Sequence, residues 1–196
     1  MDARRLKSRA KLRTALAELL QQYSLEEISI EQITEKAGVT RPTFYSNYDS
    51  RQDIINEHVG QWLEQREVLF DEYIRGDQTP GYDRLRSLIE HMLLTINPDD
   101  MLLKLALSGR AGDQALDMVR QQHIRFFRKR AEQGLSKPVD DEELRLITTF
   151  YSGAILSVIV EVLRKELPFE PVALSHRLAS MIYRGISHLI TQPDRN

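Results

Sequence analysis

Apolar residues recur at intervals of three and four along most of the chain, which is the spacing of one face of an α-helix. No stretch shows the alternation of apolar and polar residues that is typical of a β-strand. The first apolar stripe falls in a helix predicted from Arg5 to Tyr23. It consists of Leu12, Ala15, Leu16, Leu19, Leu20 and Tyr23. The pattern therefore predicts an all-α protein.

A short helix and a tight turn are predicted to follow. Ser29 is a favourable N-cap residue, and Gln32 three residues later completes a capping box. Ile30, Ile33 and Ala37 recur at helical spacing and are predicted to face inward. Gly38 comes directly afterwards, at the position where many helices end in a left-handed residue, and Val39 is expected to anchor the turn in the core.

A second short helix is predicted after this turn. Thr40 can cap it, Pro42 lies in its first turn, where a missing N–H is tolerated, and Phe44 should face inward. Ser50 then caps the next helix, with Asp53 as its capping-box partner. A helix, a glycine turn and a short polar-faced helix are typical of a helix-turn-helix, although an ordinary helical hairpin has the same signals.

One side of this segment is predicted to be exposed and rich in hydrogen-bond donors and aromatic rings. It carries Arg41, Thr43, Tyr45, Tyr48 and Arg51. Such side chains can contact phosphates and the edges of bases, which favours the helix-turn-helix interpretation.

The run ITEKAGVTRPTFYSNYDSRQDII resembles the DNA-binding domain of the TetR/AcrR family of bacterial transcription regulators. The similarity lies in the Gly-Val turn, the Thr-Phe-Tyr triplet, an aromatic residue three positions later, and a Ser-basic pair that opens a helix; it covers about the first 55 residues. Ser24 and Thr34 depart from the Gly and Ala that the family often has there, but neither lies on the expected DNA-binding side.

The resemblance implies an N-terminal three-helix DNA-binding domain over residues 1–50 and a helical domain for effector binding and dimerisation over residues 51–196. It also implies that the basic start of the first helix lies beside the DNA backbone. The residues expected to contact DNA are Arg4, Arg5, Lys7, Ser29, Thr40, Arg41, Pro42, Thr43, Tyr45, Tyr48 and Arg51.

Charge is unevenly distributed along the 196 residues, although the net charge is only −2. Residues 1–51 hold nine Lys/Arg and seven Asp/Glu, whereas the remainder holds 18 and 22. A basic N-terminal region before an acidic remainder suits a protein that binds nucleic acid at one end, but a solvated tail has the same composition. The chain has no cysteine, which excludes disulfides, cysteine nucleophiles and thiolate metal sites and fits a reducing compartment.

The remaining pattern predicts six more helices, with a linker at residues 76–81 and a proline-containing loop from Ser136 to Val139. The first is long enough to leave the DNA-binding domain, and Gly60 is a candidate break in it. The expected bounds are Ser50–Arg75, Tyr82–Ile96, Pro98–Ser108, Asp113–Gln133 (with Gly134 as the terminating residue), Asp140–Leu167 and Pro171–Thr191.

The last two helices are apolar on more than one face, which predicts that they are covered on most sides. A central core helix of the monomer would explain this pattern, as would self-association. The family resemblance favours a four-helix dimer interface built from these two helices of each subunit. The candidate interface residues are Phe150, Ala154, Ile155, Val158, Met181, Ile182, Ile186 and Leu189.

Sequence motifs of enzymes are absent: there is no G-x-S-x-G, Walker loop or G-x-G-x-x-G, and no His follows an acidic residue at the three-residue spacing of di-iron bundles. We therefore expect no enzyme activity, metal or cofactor. By resemblance, a small apolar effector could bind in the second domain. Residues of these types are more often plain core than ligand contacts. The candidate lining residues are Trp62, Phe70, His91, Met92, Met101, Leu105, Arg110, His123, Phe126, Phe127 and Tyr151.

The sequence thus leads to the hypothesis of a homodimeric repressor that a small molecule releases from a near-palindromic DNA operator. The alternative is a helix-turn-helix protein that coats DNA nonspecifically or contacts proteins without an effector. The N-terminus has no apolar signal segment, and the longest uncharged run, Leu146 to Val160, is shorter than the ~18 residues of a membrane span. We expect a soluble, cytoplasmic protein with no membrane partner.

Overall fold

A computed structural model of the chain describes residues 3–75, 81–111, 113–134 and 140–190, without the side chains of residues 74, 127, 130–134 and 186–190. Within these ranges the chain forms nine α-helices and no strand, which confirms the all-α prediction. The helices are α1 (Ala3–Leu19), α2 (Ile30–Ala37), α3 (Arg41–Tyr45), α4 (Arg51–Arg75), α5 (Tyr82–Leu94), α6 (Met101–Leu107), α7 (Asp113–Gly134), α8 (Asp141–Leu163) and α9 (Pro171–Ile190). Residues 76–80 of the predicted linker and the predicted loop at 136–139 lie outside the description, as does Gly112.

Helix α1 ends four residues earlier than its apolar stripe predicts. Leu12, Leu16 and Leu20 are buried, but Tyr23 is 44% exposed, so its assignment to the core is wrong. After the helix, Glu27 accepts a hydrogen bond of 2.8 Å from the Ser24 amide, which stabilises a turn there.

Helix α4 is continuous from Arg51 to Arg75, as predicted, and Gly60 does not break it. The Ser50 hydroxyl accepts from the Asp53 amide at 3.3 Å, and the Asp53 carboxylate accepts from the Ser50 amide at 2.8 Å, which confirms the capping box. A Cβ added at Gly60 would lie at an ordinary 3.6 Å from the Met118 side chain. The lack of a Cβ at Gly60 is therefore required neither by a kink nor by a close backbone approach.

Three other helix ends differ from the predicted bounds by two residues or more, and a local interaction or backbone conformation explains two of them. Helix α5 ends at Leu94, and α6 begins only at Met101, because the Asp100 carboxylate caps it through the Leu103 amide at 2.9 Å. Helix α8 ends at Leu163 rather than Leu167, because Lys165 has a left-handed φ of 63° that terminates the helix.

The chain forms two compact units, one made of residues 1–62 and 99–118 and the other of residues 63–98 and 119–196. In the first, α1 packs on α2 and α2 on α3. In the second, α5 packs on α9, and Phe70 stacks on Phe126 with a ring-centroid distance of 4.2 Å. These units are defined by contacts, so the functional division at residue 50 stays a prediction.

Helix α8 has the length and mean hydropathy of a membrane-spanning helix, although no membrane is present. Only 39% of its most apolar 18-residue window is buried within the protein. Core helices of soluble proteins can have the same length and composition. The exposed part of the helix is an apolar surface that needs a physical explanation.

Candidate nucleic-acid interface

The turn between α2 and α3 has the geometry that its sequence predicts. The Ser29 amide donates to the Gln32 side chain at 2.7 Å and the Gln32 amide to the Ser29 hydroxyl at 3.2 Å. Gly38 has a left-handed φ of 60°, and its amide donates to the Glu35 carbonyl while that of Val39 donates to the Thr34 carbonyl. These bonds close α2 and aim the chain into α3. Val39 is only half-buried, so its predicted role as a buried anchor is wrong.

Helix α3 presents one side chain to the core and its neighbours to solvent. Phe44 is fully buried, whereas Arg41 and Tyr45 are exposed. The Thr40 hydroxyl caps the helix through the Thr43 amide at 3.4 Å and also lies 2.9 Å from the Thr43 hydroxyl. The cap and the buried ring together fix which side of this five-residue helix faces outward.

Arg41 and Tyr45 form a connected pair on that outward side. The Arg41 guanidinium lies 5.8 Å from the centre of the Tyr45 ring. A hydrogen bond with the Tyr45 side chain raises the pKa of Arg41, which therefore carries its positive charge at every physiological pH. The pair offers a planar set of N–H donors beside an aromatic edge, a combination suited to phosphates and base edges.

Tyr48 is placed differently from its prediction as an exposed DNA contact. Its side chain is only 5% exposed, its hydroxyl donates to Glu57, and the Arg9 guanidinium lies 4.9 Å above its ring. Burial and the hydrogen bond to Glu57 raise the pKa of Tyr48. The prediction of exposure is wrong because the chain turns inward after α3 and packs the Tyr48 ring near Phe44.

Sequence reasoning missed the polar network that surrounds this tyrosine. Arg9 forms an ion pair with Glu57 and donates to the Asn47 carbonyl at 2.9 Å, and the Asn47 side chain donates to the Thr43 carbonyl at 2.7 Å. The network ties the end of α3 to α1 and α4. Arg9 and Glu57 are 48 positions apart, so no local sequence signal could have paired them.

Replacing Tyr48 with phenylalanine should therefore change stability rather than DNA contact. The variant loses a hydrogen bond to a charged group, which typically contributes about 1.5–3 kcal/mol. We expect the free energy of unfolding, measured in urea, to fall by that amount, while the salt dependence of DNA binding stays unchanged. If the variant instead kept its stability but bound DNA with a weaker dependence on salt concentration, Tyr48 would be a phosphate contact after all.

Arg51 is likewise less free than predicted. Its side chain is half-buried, and its guanidinium donates to the Ile28 carbonyl in the loop that precedes α2. This bond positions the Ser29 cap, which the sequence places on the DNA-binding side. The guanidinium keeps further N–H donors, since it has five in total.

The basic residues at the start of α1 divide between surface and interior. Arg4, Arg5 and Lys7 are exposed, in agreement with a position where phosphates could reach them. Arg9 is turned inward as described, and Arg13 donates to the Gln61 side chain at 2.6 Å. Only part of the predicted basic run is therefore available as a charged surface.

The candidate effector-lining residues are divided between the two compact units. Trp62, Met101, Leu105 and Arg110 belong to the first compact unit, whereas Phe70, His91, Met92, His123, Phe126 and Tyr151 belong to the second. Phe127 lies outside the described side chains. His91 and Arg110 are exposed, which contradicts their assignment as polar lining. Phe70 and Phe126 line one cavity of the second unit, and Met92 lines another, which is apolar.

That cavity encloses about 20 Å³, which is room for a single water-sized group. Nine of its lining side chains are aliphatic or methionine, and the tenth is Arg66. The aliphatic and methionine residues are Ile89, Met92, Leu93, Ile96, Ile155, Val158, Ile159, Leu178 and Ile182. A charged group in such a lining is uncommon, because an ion loses its hydration there.

Arg66 is 0% exposed and is the largest fully buried side chain described. Its Nη2 lies 3.3 Å from Nε2 of the buried His123, and its guanidinium lies 5.7 Å from the centre of the Phe70 ring. Burial lowers the pKa of Arg66 to about 9. The pKa of His123 is lowered to about 3, mainly by burial and to a smaller extent by the positive charge of Arg66. At neutral pH the pair therefore holds one positive charge, on Arg66.

Sequence reasoning missed Arg66, although a signal was present. It follows Leu63 by three positions and precedes Phe70 by four, so it lies on the buried side of α4. An arginine at an apolar position of a core-facing helix is such a signal.

The predicted dimer residues separate into two groups. Phe150 and Met181 are 68% and 67% exposed, and Ala154 is also exposed. Ile182 is buried in the single chain, so its assignment to the dimer interface is corrected. Ile155 and Val158 also line the cavity but are half-buried, so their assignment stays a prediction. Ile186 and Leu189 lie outside the described side chains.

Small residues on these helices have unequal roles. A Cβ added at Gly185 of α9 would lie 2.8 Å from the Tyr151 hydroxyl of α8, so this glycine leaves room for the end of the Tyr151 side chain. Nothing lies within 4 Å of a Cβ added at Gly153. The described residues contain no group of three or more His, Cys, Asp or Glu side chains that could hold a metal ion.

Comparison with known proteins gives a sequence match to one family at the N-terminal end. Residues 12–57 match the model of the bacterial regulatory proteins of the tetR family. A comparison with curated proteins gave no significant match.

Solved structures share the fold over nearly the full chain. A protein from Syntrophomonas wolfei str. Goettingen assigned to the TetR-family transcriptional regulators has a TM-score of 0.72 and 17% identity, covering 89% of this chain and 94% of its own. One from Mesorhizobium loti MAFF303099 with the same assignment has a TM-score of 0.68 and 15% identity, covering 96% and 98%. RolR, solved in complex with its ligand resorcinol, has a TM-score of 0.55 and 18% identity, covering 98% and 97%.

Proposed function

We propose that the chain is a TetR-family transcriptional regulator, because residues 12–57 match the tetR family model and solved TetR-family regulators share its fold. In this proposal it binds a near-palindromic DNA operator as a homodimer, represses transcription there, and leaves the operator when a small-molecule effector binds. The observation that carries this proposal is the outward pair of Arg41 and Tyr45 on a short helix whose orientation is fixed by the buried Phe44. The protein would act in the cytoplasm, and its family is one of regulators rather than enzymes.

In this proposal α3 enters the major groove of the duplex. Arg41 and Thr43 face base edges, and Tyr45 contacts a phosphate or a thymine methyl group. Thr40 and Pro42 begin the helix and bring its first turn against the DNA backbone. Further backbone contacts come from the exposed start of α1, the Ser29 cap and the remaining donors of Arg51. Arg4, Arg5 and Lys7 are the α1 residues concerned.

The proposed dimer uses the exposed apolar surface of α8 and α9. Leu146, Phe150 and Met181 are each more than three-fifths exposed. A second copy of the chain would remove this apolar surface from water. Two DNA-binding regions related by a twofold axis then address half-sites one helical turn, about 34–36 Å, or multiples apart.

The proposed effector acts by binding one arrangement of the dimer better than another. A ligand with equal affinity for the DNA-bound and free arrangements would shift nothing, however tightly it bound. RolR, which shares the fold, is a relative solved with a small molecule. This supports a small-molecule effector for the present chain.

Selection of binding sites from randomised duplex DNA tests the function directly. We expect the purified protein to enrich a near-palindrome whose half-sites have the spacing given above. Retention of DNA without enrichment would favour nonspecific coating, the alternative function. Failure to retain any DNA at low salt would overturn both the proposed operator binding and nonspecific coating.

Replacing Arg41 with alanine should relax base preference. A bidentate arginine–base contact typically contributes about 1–3 kcal/mol of discrimination. We expect the variant to lose that amount of binding free energy on the selected operator and less on operators altered at the contacted base pair. Titration of labelled duplexes measures both losses. Arg75→Ala removes an exposed cation at the end of α4 and serves as a control. Equal losses for every operator would contradict a base contact by Arg41.

A further inference from the structure

We propose that Arg9 is a positioning residue for the recognition of DNA bases. It does not touch the duplex itself, but its guanidinium holds the end of α3 in the orientation that brings Arg41 to its base pair. The inference rests on the proposed function, because it adds a residue to the same DNA-binding surface. All the contacts that carry it lie within the first compact unit.

The Arg9 guanidinium joins three parts of this unit. Its Nη1 is ion-paired with the Glu57 carboxylate of α4, and its Nη2 donates to the Asn47 carbonyl, two residues after α3, at 2.9 Å. The same group lies 4.9 Å from the centre of the Tyr48 ring. A guanidinium can make such contacts together because its donors form a rigid planar fork. Arg9 therefore ties α1 and α4 to the segment that follows α3.

Asn47 extends this restraint into α3. Its side chain is buried and donates to the Thr43 carbonyl at 2.7 Å, and its amide donates to the Phe44 carbonyl at 2.8 Å. The last carbonyls of a helix have no amide donor within the helix, so these bonds complete its end. The Thr40 cap fixes the start of α3, and Asn47, held by Arg9, fixes its end.

Arg9 differs in its surroundings from the other cations at the start of α1. Arg4, Arg5 and Lys7 are exposed, whereas the Arg9 side chain is 23% exposed. Because its charge faces the Glu57 carboxylate, Arg9 should contribute little to the release of counterions on DNA binding. The geometry thus favours a bridge within the protein over a phosphate contact.

The two roles differ in what lysine can replace. A lysine ammonium is a point charge that can still contact a phosphate. It lacks the fork of donors that reaches a carboxylate and a carbonyl in fixed directions. Arg9→Lys should therefore preserve a phosphate contact but break the bridge to Asn47.

Affinities for two duplexes test the proposal on the full-length protein. One duplex carries the operator selected from random DNA, and the other carries a change at the base pair that Arg41 contacts. We expect Arg9→Lys to lower the ratio of the two affinities by about tenfold, because misplacing Arg41 removes much of its bidentate discrimination. The dependence of affinity on salt should stay unchanged. Arg5→Gln is the matched control, for which we expect unchanged discrimination and a salt slope smaller by about one.

Glu57→Gln provides a second route that leaves Arg9 in place. It removes the charge that holds the guanidinium and keeps the shape of the side chain. Removing an acidic group would strengthen binding to every duplex if only charge mattered. We expect discrimination between the two duplexes to fall instead. Urea unfolding followed by circular dichroism gives the folded fraction of each variant, to which the affinities are corrected.

A double-variant cycle shows whether Arg9 acts through Arg41. In an Arg41→Ala background, Arg9→Lys should no longer change the ratio of the two affinities, because the side chain that it positions is missing. Equal effects of Arg9→Lys with and without Arg41 would overturn the assignment. So would a weakening of both duplexes by the same factor, which would indicate a role in stability alone.

The remaining outcomes separate this inference from the proposed function. If the unchanged protein prefers no DNA sequence, the proposed function and the positioning role are both refuted. If it binds an operator specifically but folded Arg9→Lys and Glu57→Gln keep full discrimination, the positioning role alone is refuted. A lower salt slope in Arg9→Gln together with full discrimination in Arg9→Lys would make Arg9 a phosphate contact instead.

Discussion

Placing aspartate at both Phe150 and Met181 is expected to convert the protein to a monomer and to weaken its binding to a two-half-site operator by about 10²–10⁴-fold. Both side chains are about two-thirds exposed in the single chain, so the substitutions should not disturb its fold. In the proposed dimer the new carboxylates would be buried without partners, which costs several kcal/mol each. The loss in affinity follows because the second half-site is no longer bound by a tethered partner.

Sedimentation velocity measures the oligomeric state, and titration of DNA with one or two half-sites measures the affinity. Binding to a single half-site should remain unchanged, since α3 and its surroundings are intact. Val68→Asp is a matched control, because Val68 is an apolar residue of α4 that is 57% exposed and lies on neither α8 nor α9. A double variant that stays dimeric and keeps full operator affinity would show that the dimer forms elsewhere.

Replacing Phe44 with alanine is expected to destabilise the helix-turn-helix region by about 3–5 kcal/mol. The ring is 0% exposed, and it contacts the Tyr45 and Tyr48 rings at centroid distances of 5.5 and 6.2 Å. Removing it leaves a cavity and also removes the only fully buried side chain of α3. Since small proteins are stable by only about 5–15 kcal/mol, much of the DNA-binding population would be lost.

Urea unfolding followed by circular dichroism measures this loss. Tyr45→Ala is the matched control, because Tyr45 is the next residue of the same helix but is 47% exposed. We expect it to cost less than about 1.5 kcal/mol, the upper range for an aromatic pair, while it weakens DNA binding directly. Equal losses of stability for the two variants would mean that the orientation of α3 does not depend on Phe44.

Local signals in the sequence predicted local structure well. The Ser29–Gln32 and Ser50–Asp53 capping boxes and the left-handed Gly38 form as expected, because each depends on residues within four positions of one another. The family resemblance then located the helix-turn-helix from a run of about 23 residues. The fold class and the DNA-binding region were therefore predictable.

The errors concern contacts between residues that are distant in sequence. Tyr48 is drawn inward by Glu57 and Arg9, and the Arg51 guanidinium by a carbonyl 23 positions earlier. Helical periodicity gives the direction of a side chain on its own helix but not which other helix covers it. For the same reason the apolar residues of α8 and α9 could not be sorted in advance into those that line a cavity and those exposed on the surface.

The five-residue length of α3 has a consequence for genetics. A helix this short is not stable by itself in water, so its shape depends on the Thr40 cap, the buried Phe44 and the contacts of Asn47. Random mutagenesis scored by a reporter gene should therefore return two kinds of defective allele. Alleles at these supporting positions should be temperature-sensitive and recover in cooler cultures, whereas alleles at Arg41 should remain defective at every temperature.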